Sequence, residues 1–151
     1  MLLLLSFVVF GAQAAVMLAD EFHFHRRRRM PRWERVGHPL DTLTVLLCYA
    51  LALFTSPSDA ALGSYVALAV FSCLFVTKDE FVHAKLCSPA EHWLHAVLFV
   101  LHPVVLALVG LLWVQGEHRV LLTVQAAMTF AFGIFQTLYW NLPWQQASFD
   151  R

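Results

Sequence analysis

The chain has 151 residues, of which 60% are hydrophobic and only 13% charged, and its ten acidic residues balance ten basic ones. Soluble domains carry about 25% charged residues, and the mean hydropathy here is +0.65. That balance gives no basic surface for a nucleic-acid partner, and the recurring apolar runs point to an all-α, polytopic integral membrane protein of about five helices.

No Gly/Ser/Pro-rich linker divides the sequence, so residues 1–151 read as one membrane domain in the lipid bilayer. The cysteines Cys48, Cys73 and Cys87 have no CxxC spacing and imply no disulfide. Residues 1–19 are apolar enough for a first helix. Ala12-Gln13-Ala14 resembles a signal-cleavage site, but no basic segment precedes the apolar run, so a retained helix is expected. Its far end carries Asp20, Glu21, His23 and His25. Arg26–Arg29, Arg32 and Arg35 then form the most basic block, which reads as a cytoplasmic loop.

The second helix, about 32–55, opens beside Pro31 and spaces Glu34, His38 and Asp41 at i, i+4 and i+7. They share a face unless Gly37-His38-Pro39 breaks the helix. A polar turn at 55–59 leads to helix three, about 60–85, which ends in the Lys78–Lys85 cluster. Ser88-Pro89-Ala90-Glu91 supplies an N-cap, a first-turn proline and a first-turn acid for helix four, about 89–115. Pro103, next to His102, can kink it. Helix five, about 119–140, ends in an aromatic belt of Tyr139, Trp140 and Trp144.

Two stretches repeat. Asp20-Glu21-Phe22 aligns with Asp79-Glu80-Phe81, and Glu34/His38 with Glu91/His95, the offset between the acidic clusters differing by two residues. The chain thus reads as a duplicated helical hairpin (copies about 1–55 and 60–115) followed by a fifth helix. Eight of the ten basic residues lie in the first and third connections, which should face the cytoplasm. The N-terminus is then outside and the C-terminus inside, as expected for a bacterial inner-membrane protein.

Four carboxylate–histidine pairs result: Glu21/His25, Glu34/His38, Glu80/His83 and Glu91/His95. Residues three or four apart share a helical face, and ionisable groups beside hydrocarbon must pair, bind a cation or reach water. In motif, though only over these short stretches, this resembles the di-iron carboxylate class of helical bundles. It departs from that class in spacing, since only Glu80/His83 is i+3. The donor set suits two divalent ions, iron first and zinc or manganese as substitutes. Asp20, Asp41, Asp79 and His92 are candidates to support the ligands.

The expected function is a membrane-embedded dinuclear (di-iron) enzyme that oxidises, hydroxylates or desaturates a lipid-soluble substrate such as a lipid, isoprenoid or quinone. Zinc in the same site would favour lipid hydrolysis instead. Two other classes compete. One is a haem b electron-transfer subunit with His102 and His38 as axial ligands. The other is a non-catalytic assembly protein or small transporter working in a homo- or hetero-oligomer. No serine-nucleophile motif, phosphate loop or dinucleotide fingerprint is present.

Overall fold

Long apolar runs separated by short polar turns fold into helices throughout the computed structural model, which describes residues 1–27, 30–116 and 118–142. Arg28, Arg29, Glu117 and the 143–151 tail with Trp144 lie outside the described residues. Helix α1 spans Leu2–Ala19 and continues into a π-helical turn at Asp20–Phe24 and a 3-10 turn at His25–Arg27. Helix α2 spans Arg32–Phe54 and α3 Asp59–Phe75; a 3-10 turn at Val76–Asp79 leads into the short α4, Glu80–Leu86. Helix α5 spans Pro89–Gln115 and α6 Arg119–Asn141. Among the described residues, five helical segments are long and apolar enough to cross a membrane: Leu2–Phe24, Arg32–Phe54, Asp59–Leu86, Pro89–Gln115 and Arg119–Asn141.

Local chemistry explains the ends. Ser58 caps α3 by accepting from the Ala61 N–H at 3.2 Å. Ser88 and Glu91 form a reciprocal capping box at the start of α5, with Pro89 in the first turn. Helix α2 runs unbroken through Gly37-His38-Pro39, so Glu34 and His38 do share a face. Pro39 deprives the Arg35 carbonyl of its helical partner without ending the helix.

Helix three runs from Asp59 to Leu86, close to the expected 60–85, but it tightens to 3-10 geometry between α3 and α4. A 3-10 turn advances about 120° per residue against about 100° in an α-helix, so four such residues turn the face of α4 away from that of α3.

Helix α2 packs chiefly against α6 and α3, and α1 chiefly against α5; α5 also touches α2, α3 and α6. Under the sequence alignment α1 corresponds to α3 and α2 to α5, and exchanging them turns the α1–α5 contact into the α3–α2 contact. Both are packed. The apolar core gathers Cys48, Tyr49, Tyr65, Leu106, Val109, Leu112 and Trp113 around the second half of α5. The Tyr65 hydroxyl donates to the Leu106 carbonyl at 2.6 Å and the Trp113 indole to the Thr55 carbonyl at 3.0 Å, so polar tips inside that core are satisfied. The opposite end of the bundle is where acids and histidines collect.

Candidate metal centre

Four histidines from four different elements form a closed ring at that end. His25 comes from the turn after α1, His38 from α2, His83 from α4 and His95 from α5. Neighbouring ring centroids around the cycle are 4.8 Å (His25–His38), 6.3 Å (His38–His83), 4.2 Å (His83–His95) and 6.4 Å (His95–His25). Four buried carboxylates surround it: Asp20, Glu21, Glu34 and Glu91.

Asp20 joins two of the rings. Its Oδ1 is 3.1 Å from His95 Nε2 and its Oδ2 3.4 Å from His25 Nε2. Glu21 Oε2 lies 3.8 Å from His25 Nδ1, and Glu34 Oε1 lies 3.7 Å from His83 Nε2. Glu91 accepts from the Ser88 N–H through Oε2 at 3.4 Å, so the acid that caps α5 also stands at the ring. His95 Nδ1 is buried without a hydrogen-bond partner.

These side chains fall into sets whose ligand atoms all lie within 4.8 Å of one another. One set is Asp20, His25, Glu91 and His95; a second is Glu34, His38 and His83. The two share no residue. Two further sets, Glu21/His25/His38 and His83/Cys87/His95, overlap both and tie them together. Imidazole and carboxylate donors in this mixture suit Fe, Mn or Zn.

Seven of the eight residues expected as ligands therefore converge: Glu21, His25, Glu34, His38, His83, Glu91 and His95. Glu80 does not. Its side chain is 45% exposed and meets His92 at 3.5 Å, and no such set among the described residues includes it. The winding explains this. The first DEF copy is loosened into a π turn and its glutamate is buried; the second follows a tightened 3-10 turn and its glutamate swings out.

Asp20 and Cys87 enter the sets unforeseen as ligands. Asp20 was expected only in a supporting role; Asp41 and Asp79, expected in the same role, are paired instead with Lys78 Nζ at 2.6 and 2.9 Å. Helix α6, which carries no acid or histidine, also contributes. The Trp140 indole and the Gln136 amide both donate to Glu21, and Thr42 donates to Gln136 at 2.8 Å. The signal in the sequence was the i+4 pair of Gln136 and Trp140 at the end of an otherwise apolar helix.

His102 stands apart from the ring, seven residues further along α5, with Nε2 2.9 Å from Ser72 Oγ. A cavity of about 300 Å³ begins at the ring and runs between α1, α2, α5 and α6, lined at its far reach by Phe10, Tyr49, Val105 and Gln125. Comparison with protein-family models, curated proteins and solved structures gives no match. The site is read from its own residues.

Proposed function

We propose that the chain is an integral membrane enzyme whose acid–histidine ring binds two divalent metal ions beside a chamber for a lipid-soluble substrate. The observation that carries the reading is the pair of disjoint, buried ligand sets. Charge supports it. Asp20, Glu21, Glu34 and Glu91 carry four negative charges in ionised form, which two divalent cations balance with every imidazole neutral, the form that ligates. The alternative counter-charge, four imidazolium rings with neighbouring centroids 4.2 to 6.4 Å apart, sets like charges against one another.

The membrane setting is supported by the outward faces of the helices. Phe7, Val8, Val66, Val70, Phe71, Val100, Val124 and Phe130 are all exposed, an apolar belt that water does not stabilise but acyl chains do. With the basic connections cytoplasmic, the ring lies near the cytoplasmic face and the N-terminus outside. The matched α1–α5 and α3–α2 contacts support a duplicated hairpin whose pseudo-twofold runs along the membrane normal.

Iron held by the two sets would supply oxygen activation; the residues themselves orient the substrate and exclude water. The cavity volume is at the lower end of the range for small-molecule sites, and its walls are mostly apolar. Because α1 rests chiefly on α5 and α6 chiefly on α2, substrate reaches the cavity sideways from the bilayer, between α1 and α6. Oxidation, hydroxylation or desaturation of a lipid chain is the reaction class that fits. A haem b subunit has less support, because Ser72 engages the Nε2 of His102 and the His38 ring sits 4.8 Å from that of His25.

Metal analysis of protein purified in lipid nanodiscs is the test. Two ions per chain and no Soret band are expected. Zinc in place of iron shifts the reading to lipid hydrolysis, and a chain that binds no metal ends it.

A further inference from the structure

We infer that the cavity carries a second polar layer, formed by Gln13 and His102, which selects a substrate bearing a hydroxyl or N–H group some two helical turns from the acid–histidine ring. This rests on the cavity being the substrate chamber of the proposed enzyme and adds the chemistry of what fills it.

Depth comes first. Gln13 precedes Asp20 by seven residues on α1, and His102 follows His95 by seven on α5. One helix runs toward the ring and the other away from it, so both side chains stand about 10 Å from it along the helix axes. Both line the cavity, and Met17 and Leu98 provide apolar wall between the two layers.

Hydrogen-bond directions then fix what this layer offers. Thr44 Oγ1 donates to the Asp41 carbonyl at 2.8 Å, which uses its only proton. With that proton so placed, the 2.6 Å contact between Thr44 Oγ1 and Ser72 Oγ uses the proton of Ser72. Ser72 has none left for His102, so the 2.9 Å contact is donated by the ring through Nε2–H. In that arrangement His102 is the Nε2–H tautomer, and its Nδ1 carries a lone pair with no protein donor among the described residues.

Gln13 presents the same need. Its Oε1 is buried without a hydrogen-bond partner. Two acceptors stand at one depth of an apolar chamber, the Gln13 oxygen fully buried, and they favour a ligand that brings a donor, because an unsatisfied buried acceptor costs the full desolvation of that group. A primary amide on a lipid chain brings a donor for each, and an alcohol brings one proton for the pair; a quinone, ester or ether, which only accepts, brings none.

The probes are hexadecan-1-ol and its methyl ether, which share the chain and the oxygen but not the donor. Competitive binding to the intact protein in nanodiscs is read by native mass spectrometry. The parent should prefer the alcohol by about tenfold, the discrimination expected when a polar site meets an analogue lacking the group it was built to bond. Gln13→Met and His102→Phe should each reduce that preference while still retaining the ether. Gln13→Met keeps the side chain's length and leaves the Ser72 contact intact, so its result stands even if His102→Phe fails to fold.

Equal retention of both probes by the parent means that water satisfies the acceptors, and overturns the inference. So does retention of neither probe, or a preference unchanged in Gln13→Met. The same spectra count bound metal. A metal-free chain that still prefers the alcohol removes the enzyme reading and leaves the polar layer standing; a metallated chain without preference does the reverse.

Discussion

A carboxylate beside hydrocarbon persists only when its charge is met, and Asp20 shows how that is done. It is 6% exposed and its two oxygens reach two different histidines, at 3.1 and 3.4 Å. Glu80, its near neighbour in the repeat alignment, is half-exposed, with His92 beside it at 3.5 Å. The two acids should respond differently to loss of charge. Asp20→Asn keeps shape and hydrogen bonding but removes one anionic ligand from the four-residue set, so metal content should fall from two ions to one per chain. Glu80→Gln should leave it at two. Elemental analysis of both variants decides the matter, and loss of metal in Glu80→Gln with none in Asp20→Asn would sink the ligand sets. The i+4 pairs at Glu34/His38 and Glu91/His95 were legible because α2 and α5 are regular where those residues lie, and regular winding is what a spacing argument assumes. Glu80/His83 has the ligand-like spacing, yet only His83 faces inward. Spacing fixes how two side chains stand to each other, not which way the helix segment carrying them is turned.

Among the elements, the turns that depart from α-helical winding set the site, and no residue pattern announced them. The DEF triplets are identical in sequence, but one lies in a π turn and the other straddles the end of a 3-10 turn. Tertiary contacts choose between them: Gln136 and Trp140 of α6 receive Glu21, whereas Lys78 takes Asp79 and leaves Glu80 at the surface. The long helices, by contrast, were legible from apolar length and from caps such as Ser88/Glu91, which are local. Helix α6 looked like a plain fifth span, yet it reaches the site because it packs so closely on α2. Gly133 allows that approach. A Cβ there would stand 2.9 Å from Thr42 Cγ2, and Thr42 is buried with its hydroxyl committed to Gln136, so it cannot swing aside. Gly133→Ala should therefore destabilise the bundle by about 1–3 kcal/mol, as overpacking does. It should also loosen Glu21 through the Thr42–Gln136 link. Thermal unfolding in nanodiscs measures the first effect; an unchanged midpoint would show that α2 and α6 part without cost.

Taken whole, the molecule has two ends held by different forces. Around the second half of α5, Leu106, Val109, Leu112 and Trp113 interlock with Tyr49 and Tyr65, and that end needs nothing but packing and its two aromatic hydrogen bonds. At the other end the turn after α1, the start of α2, the short α4 and the start of α5 meet through carboxylates and imidazoles. Bound cations would be the cross-link there, since an ion that binds the assembled set stabilises it in proportion to its occupancy. Stability is then not uniform along the helices, and local opening should separate the two ends. Chelation in nanodiscs should raise amide hydrogen exchange in residues 20–27, 80–86 and 91–95, which carry candidate ligands. Exchange at 105–113 should stay as slow as before. The contrast matters more than the size of either change, because general unfolding in the chelator would speed both regions together. If the metal is stripped and 80–86 exchanges no faster, the ions are bound but carry no load, and the acid–histidine ring holds its shape through its own hydrogen bonds.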